Sequence, residues 1–327
     1  MAKKVEKKKV WALKAAAAAL AASWLAAGCS NSLPSASEVK DGRRYTEAQI
    51  MLVVATERNR YSQVYTDQIW QIPVDEAGTT FQDHLLKEVR NFFRELKAMN
   101  MLADQQGIKL SGQEKDRLKK LAKDYYQSLT QADLDYIGAS QEEIYQLYEE
   151  YHRANKLVDE LTKDVNLEIS DSEAKVIVVQ EILAKDPGRA KGIYTRAMAE
   201  GVDFEALAQS VSLDPVVEKP IGRGERSKEY EDVAFSLEAG ETGPLIRDGD
   251  VYYIVKCIKD YDEEATQERK EKLALQRKSQ AFRQIYDVFV QENPTDVEGE
   301  AWNGPPFSLD EESTTTVFFE WYQEYMG

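Results

Sequence analysis

Cysteine and histidine are nearly absent from this chain of 327 residues, which contains two of each. Cys29 and Cys257 can form at most one intramolecular disulfide, so a disulfide framework is excluded and packed cores must supply the stability. His84 and His152 stand in helical sequence with polar neighbours, where we expect surface residues rather than ligands. The sequence therefore predicts neither a metal site nor a cofactor.

Basic residues are outnumbered, with 42 Lys and Arg against 58 Asp and Glu and a formal net charge of −16. The first 28 residues hold six lysines and one glutamate, so the rest of the chain has a net charge of −21. Nucleic-acid binding needs a surplus of Lys and Arg to contact phosphates, and we exclude it on that ground. The remaining length suggests about two domains.

The first 28 residues have the organisation of an export signal. Five lysines within residues 3–9 give a positive start, an apolar stretch covers residues 15–27, and small residues lead into Cys29. A cysteine directly after such a cleavage site resembles the lipobox of bacterial lipoproteins. The resemblance implies that Cys29 is acylated and that residues 29–45 tether the protein to the cell membrane.

Two alternatives to a lipoprotein signal stay open. One is an ordinary signal peptide followed by an incidental cysteine, and the other is an uncleaved anchor. Lys14 leaves the apolar stretch shorter than the roughly 20 residues that span a bilayer, which argues against the anchor.

Helical periodicity dominates the first half of the remaining chain. Apolar residues recur at steps of three and four, and two predicted helices begin with capping boxes at Ser111/Glu114 and Ser140/Glu143. We therefore predict a helical domain over residues 46–168.

Helical sequence returns near the end of the chain. A charged helix over residues 263–292 carries an apolar stripe that has no partner on its own helix, so we expect this helix to complete the N-terminal helical domain. Residues 293–327 form an aromatic tail, which we expect to dock on the chain's own helices.

The pattern between these helical segments is that of a small α+β domain over residues 172–262. A β-branched run at residues 175–183 predicts a buried strand, and Asp248-Gly249 between two further apolar runs predicts a hairpin. The fold class is therefore α+β, with this domain inserted between the helical segments.

Several motifs resemble the parvulin-containing extracellular foldases, namely the PrsA-like lipoproteins of Gram-positive bacteria and their SurA relatives. The motifs are MLADQQGIKLSGQE at residues 101–114, GVDFEALAQSVSLDP at residues 201–215 and YEDVAFSLEAGETGP at residues 230–244. The resemblance implies a helical chaperone domain with an inserted parvulin domain. It also implies that the protein binds unfolded or newly exported polypeptides, is anchored to the membrane by its N-terminal lipid, and can form a homodimer.

Active members of this family have one histidine on the first strand and one on the last strand of the parvulin domain, over an apolar proline pocket. The resemblance assigns these two positions to Val176 and Tyr253. It assigns the acidic position to Asp214, an aromatic pocket position to Tyr230 and an apolar pocket position to Arg226. Because both histidines are missing and the pocket carries a charge, we expect prolyl isomerase activity to be absent or weak.

The sequence leaves two other functions open. One is an active isomerase that uses Asp214, Tyr230 and Tyr253, and the other is a passive envelope scaffold without a client. Asp214 can simply form a turn with Pro215, and Tyr253 can simply pack in a sheet. Aromatic residues that could line a client cradle, although most should be core, are Phe81, Phe92, Phe93, Tyr148, Tyr151, Phe282 and Tyr286.

Overall fold

The structure is a computed structural model that describes residues 44–297, 302, 307 and 312–327. These residues form two compact units. The helical unit comprises the described part of Met1–Lys163 together with Phe282–Gly327, and the sheet unit comprises Asp164–Ala281. The predicted signal, Cys29 and most of the predicted tether lie outside the described residues. No helix among the described residues is both long enough and apolar enough to cross a membrane.

The described elements agree with the predicted α+β class. They are, in chain order, α1 (Glu47–Ser62), a 3-10 helix (Asp67–Gln71), α2 (Phe81–Gln105), α3 (Gly112–Ser128), α4 (Gln131–Ile137), α5 (Gln141–Thr162), α6 (Asp171–Ala174), β1 (Val176–Ala184), α7 (Pro187–Ala197), α8 (Phe204–Val211), β2 (Glu218–Gly222), α9 (Lys228–Ala234), β3 (Ile246–Asp248), β4 (Val251–Lys259), α10 (Glu263–Glu292) and α11 (Phe318–Met326).

Helix α1 lies at the centre of the helical unit. Residues 49–59 are all buried, so this helix has no solvent-facing side over its central turns. Its N-terminus and the N-termini of α3 and α5 carry capping boxes, including both that the sequence predicted. The helix ends at Ser62, and Tyr65 beyond it is exposed.

The aromatic tail packs into the core of the helical unit through α11. The ring of Phe318 stacks on that of Tyr148, with centroids 4.2 Å apart and planes 8° apart. The Tyr148 hydroxyl donates a hydrogen bond of 2.8 Å to the Phe318 carbonyl. The tail therefore contributes buried aromatic area to a core that the N-terminal helices leave incomplete.

A buried carboxylate fixes the chain just before α11. Asp133 is 2% exposed, and its Oδ1 accepts hydrogen bonds from Ser313 Oγ (2.9 Å), Thr314 N (2.7 Å) and Thr315 N (3.0 Å). Asn59 on α1 donates to the Thr315 carbonyl at 2.8 Å. This network joins α1, α4 and the tail, although they are far apart in sequence.

The sheet unit contains a four-stranded antiparallel sheet in the order β2-β1-β4-β3. Helices α7 and α8 pack with Ile182 and Ile254 on one face, and α9 packs with Ile177, Val179 and Val255 on the other. The predicted hairpin joins β3 to β4. Because Asp248 pairs with Val251, its two-residue loop is 249–250 and begins with Gly249 at φ 57°.

Helix α10 is divided between the two units, whereas the sequence grouped all of residues 263–292 with the helices. Its first half bonds to the sheet unit: Thr266 Oγ1 accepts from Val176 N at 3.1 Å, and Arg269 donates to the Arg223 carbonyl at 2.7 Å. Its second half carries Tyr286 and Phe289 into the core of the helical unit. Periodicity sees one continuous helix and cannot show that its halves have different partners.

We expect Asp133→Ala to destabilise the helical unit by about 2–3 kcal/mol, because two backbone N–H groups and a hydroxyl lose their acceptor. Urea unfolding measures the change, and Asp135→Ala, an exposed carboxylate on the same helix, is the matched control. An unfolding free energy within about 0.5 kcal/mol of wild type would contradict the assigned role.

The same variant has a predicted pH dependence. Burial raises the pKa of Asp133, but hydrogen bonds from Thr130, Thr315 and Thr314 outweigh it and lower the pKa. A lowered pKa in the folded state means that the stabilisation is present above the unfolded pKa of about 4 and is lost as the pH falls through the folded value. The difference between wild type and Asp133→Ala should therefore shrink in acid.

Candidate functional site

The candidate site lies on the sheet face that α9 covers, and Glu181 is at its centre. The side chain of Glu181 is 1% exposed. Its Oε2 accepts a hydrogen bond of 2.7 Å from the Tyr230 hydroxyl, and its Oε1 accepts one of 3.0 Å from Lys219 Nζ. A carboxylate buried to this extent is tolerated only when it is paired and hydrogen-bonded, and Glu181 satisfies both conditions.

Lys219 connects Glu181 to Asp214. Its ammonium group also donates to Asp214 Oδ2 at 2.6 Å, so one cation bridges two carboxylates. Burial alone would lower the pKa of Lys219, but the hydrogen bonds to Asp214 and Glu181 raise it. The hydrogen bond from Lys219 lowers the pKa of Asp214. Both groups therefore stay charged near neutral pH.

Asp214 also forms a turn, as the sequence suggested. Its Oδ1 accepts from Val216 N at 2.9 Å, and its own N–H donates to Ser212 Oγ at 3.2 Å. Ser212 Oγ in turn accepts from Leu183 N of β1 at 3.1 Å. The turn thus holds the Asp214 carboxylate in place beside the first strand.

Arg226 and two tyrosines complete the site. Arg226 Nη2 lies 3.9 Å from Glu181 Oε2, and its guanidinium lies over the Tyr230 ring at 5.4 Å. The rings of Tyr230 and Tyr253 meet edge-on with centroids 5.2 Å apart. Burial, then the Glu181 charge, raises the pKa of both tyrosines, so each keeps its phenolic proton.

The structure brings together four of the five residues that the sequence assigned to the site, and Val176 is the exception. Successive side chains on a strand point to opposite faces, and Ile177 and Val179 lie on the α9 face. Val176 therefore lies on the other face. Glu181, rather than Val176, is the β1 residue that shares the face of Ile177 and contacts Tyr230.

The remaining residues singled out in the sequence lie outside this cluster. Cys257 is free and fully buried on β4, and burial raises the pKa of its thiol. His152 is half-buried rather than on the surface as predicted: its Nδ1 lies 2.8 Å from the Tyr322 hydroxyl and its Nε2 lies 3.4 Å from Glu114. Among the described residues, no group of His, Cys, Asp or Glu has a metal-site arrangement.

Comparison with known proteins identifies relatives of the chain. A foldase protein PrsA from Caldanaerobacter subterraneus is 26% identical over 248 residues, covering 69% of this chain and 75% of the relative. Foldase protein PrsA 4 from Bacillus cereus is 34% identical over 115 residues, covering 32% and 41% of the two chains. No family model matches. The chain is a PrsA-like protein.

A solved structure of a PrsA peptidylprolyl isomerase from Bacillus cereus aligns with this PrsA-like chain with a TM-score of 0.39 and 20% identity. The alignment covers 72% of the present chain and 97% of the other.

Sequence reasoning missed two members of the site in this PrsA-like chain, Glu181 and Lys219. One signal for Glu181 was present: it is a single acidic residue inside the β-branched run of a strand predicted to be buried. Such a residue needs a cation partner, but the sequence does not show that Lys219 on the neighbouring strand supplies it.

We expect Glu181→Gln to destabilise the PrsA-like chain by about 3 kcal/mol, because it removes one of the two charges that pair with the largely buried Lys219 ammonium. Urea unfolding tests this against Glu229→Gln, an exposed carboxylate of the same unit. Glu181→Leu combined with Lys219→Met should recover much of the loss, since replacing both ions by apolar groups is often neutral. Equal stability of wild type and Glu181→Gln would refute the assignment.

Proposed function

We propose that the protein is an extracytoplasmic foldase or chaperone that binds unfolded exported polypeptides, and that its sheet unit has little or no prolyl isomerase activity. The names of its relatives support the foldase part of this proposal. The observation that carries the second part is the buried Glu181 cluster.

The chemistry of isomerisation explains why this cluster matters. The barrier to rotation about a peptide bond is about 18–20 kcal/mol, and an isomerase lowers it by binding the twisted amide more tightly than either planar form. A proline ring needs an apolar surface for that binding. Here, Lys219 is hydrogen-bonded to Glu181 and Asp214, and Arg226 forms an ion pair with Glu181 beside Tyr230 and Tyr253. A proline placed among them would have to separate ion pairs without replacing their hydrogen bonds.

Holding an unfolded chain makes a different demand, because it needs accessible apolar surface and no reaction geometry. Phe93 and Tyr148 are fully buried, and Tyr151 and Tyr286 are nearly so. These four of the proposed cradle residues therefore belong to the core. The surface that contacts clients must consist mainly of other residues.

Two assays on the same protein test the proposal. We expect no more than weak acceleration of cis–trans isomerisation in a panel of proline tetrapeptides, together with suppression of aggregation of a chemically unfolded client. Each tenfold acceleration requires about 1.4 kcal/mol of transition-state stabilisation, which the self-paired cluster does not offer. Strong isomerisation that disappears in Asp214→Ala and Tyr253→Phe would favour the active isomerase instead. Inactivity in both assays would favour the passive scaffold.

We further propose that Cys29 carries the lipid that holds the protein on the outer face of the cell membrane. The lysine-rich start, the apolar stretch and the small residues before Cys29 support this proposal. Wild type should incorporate a labelled fatty acid and fractionate with membranes, and Cys29→Ala should do neither. Cys257→Ala is the matched control and should behave as wild type. A wild-type protein without label would contradict the proposal.

A further inference from the structure

The segment between α1 and α2 exposes four large apolar side chains within a short stretch of the helical unit. Residues 62–68 and 71–78 are all exposed. The exposed fractions are 73% for Val64, 54% for Tyr65, 53% for Ile72 and 44% for Val74. Only two other large apolar side chains in the described part of the helical unit are exposed, Ile285 and Val288 on α10. We call residues 63–80 the apolar loop.

A buried tryptophan and internal hydrogen bonds hold the apolar loop in one conformation. Trp70 is fully buried, and its ring lies 6.3 Å from that of Tyr61 and 5.5 Å from that of Phe81. The loop then doubles back on itself, with hydrogen bonds from Val74 N to Thr79 O (2.8 Å) and from Phe81 N to Ile72 O (2.9 Å). The exposed apolar residues therefore belong to a hydrogen-bonded, anchored segment.

The charged residues of the apolar loop all have one sign. Residues 61–86 contain no Lys or Arg, whereas Asp67, Asp75 and Glu76 are exposed in the loop itself. We call these three residues the acidic rim. The acidic rim repels anionic lipid headgroups, and it repels a second copy of a chain whose net charge is −16. The same rim attracts a polypeptide that carries Lys or Arg beside apolar side chains.

We propose that the apolar loop is a contact surface for clients, and that it selects apolar polypeptide segments that also carry Lys or Arg. This inference rests on the proposed function and gives the client a stated chemistry. The apolar side chains supply the attraction, and the acidic rim supplies the preference for basic over acidic segments.

Labelled peptides that share one apolar sequence and differ only in carrying Lys, Gln or Glu test the inference by fluorescence anisotropy. Wild type should bind the Lys peptide most tightly and the Glu peptide least, and added salt should reduce the difference. Ile72→Ser with Val74→Ser should weaken binding of the Lys peptide about tenfold, as loss of central apolar contacts usually does. Ile285→Ser with Val288→Ser removes two apolar side chains of similar exposure and should change binding less than about twofold.

Charge reversal separates the local rim from the net charge of the chain. Asp67→Lys with Glu76→Lys should reduce or invert the preference for the Lys peptide. Glu200→Lys with Glu229→Lys changes the net charge equally, at exposed positions of the sheet unit, and should leave the preference in place. Equal effects of the two pairs would overturn the role of the rim.

The remaining outcomes are distinct. The inference is overturned if wild type binds none of the peptides. It is also overturned if the Ile285/Val288 variant loses as much peptide binding as the Ile72/Val74 variant. The inference is also overturned if the loop variants keep peptide binding but lose binding to phosphatidylglycerol vesicles, or lose self-association in sedimentation. If wild type suppresses aggregation and the loop variants do so equally well, the inference fails and the proposed function stands. If wild type does not suppress aggregation, the proposed function itself fails.

Discussion

The Glu181 carboxylate on β1 determines which polar side chains gather on the α9 face of the sheet. A charge that is 1% exposed must be paired, and one partner, Lys219, brings Asp214 with it. Tyr230 donates to the other carboxylate oxygen, and Arg226 lies over its ring. The pairing leaves these polar side chains engaged with one another, and this is the physical ground for proposing a binding function rather than catalysis.

The helical unit is held together by contacts between chain segments that are far apart in sequence. Helix α1 is buried on all sides and is surrounded by helices from both ends of the chain. Asp133 and Asn59 bind the backbone before α11, and Phe318 then stacks on Tyr148. Such long-range contacts mean that the N-terminal helices cannot bury their apolar area without the tail.

The distribution of buried and exposed apolar side chains suits a chaperone that binds unfolded chains. The aromatic residues that could line a cradle are mostly core, whereas a small loop anchored by Trp70 presents Ile72 and Val74 to solvent. Exposed apolar side chains add nothing to the stability of the fold, and their grouping on an anchored segment is the ground for proposing contact with another molecule. The acidic residues of that loop match the acidic balance of the whole chain.

The sequence by itself determined the features that depend on local pattern. Capping residues located α3 and α5, β-branching located β1, and the turn residues located the β3–β4 hairpin to within one residue. Motif order identified the PrsA-like family, and with it Asp214, Arg226, Tyr230 and Tyr253 as neighbours.

Only the tertiary structure decided what depends on distant partners. Which face of β1 meets α9 is set by strand register, and that register replaces Val176 with Glu181 in the site. The split of α10 between two units, the partial burial of His152 beside Tyr322 and the exposure of the apolar loop likewise depend on what packs against each element. Local sequence fixes which residues share a face, whereas burial and pairing follow from contacts between segments that the sequence keeps far apart.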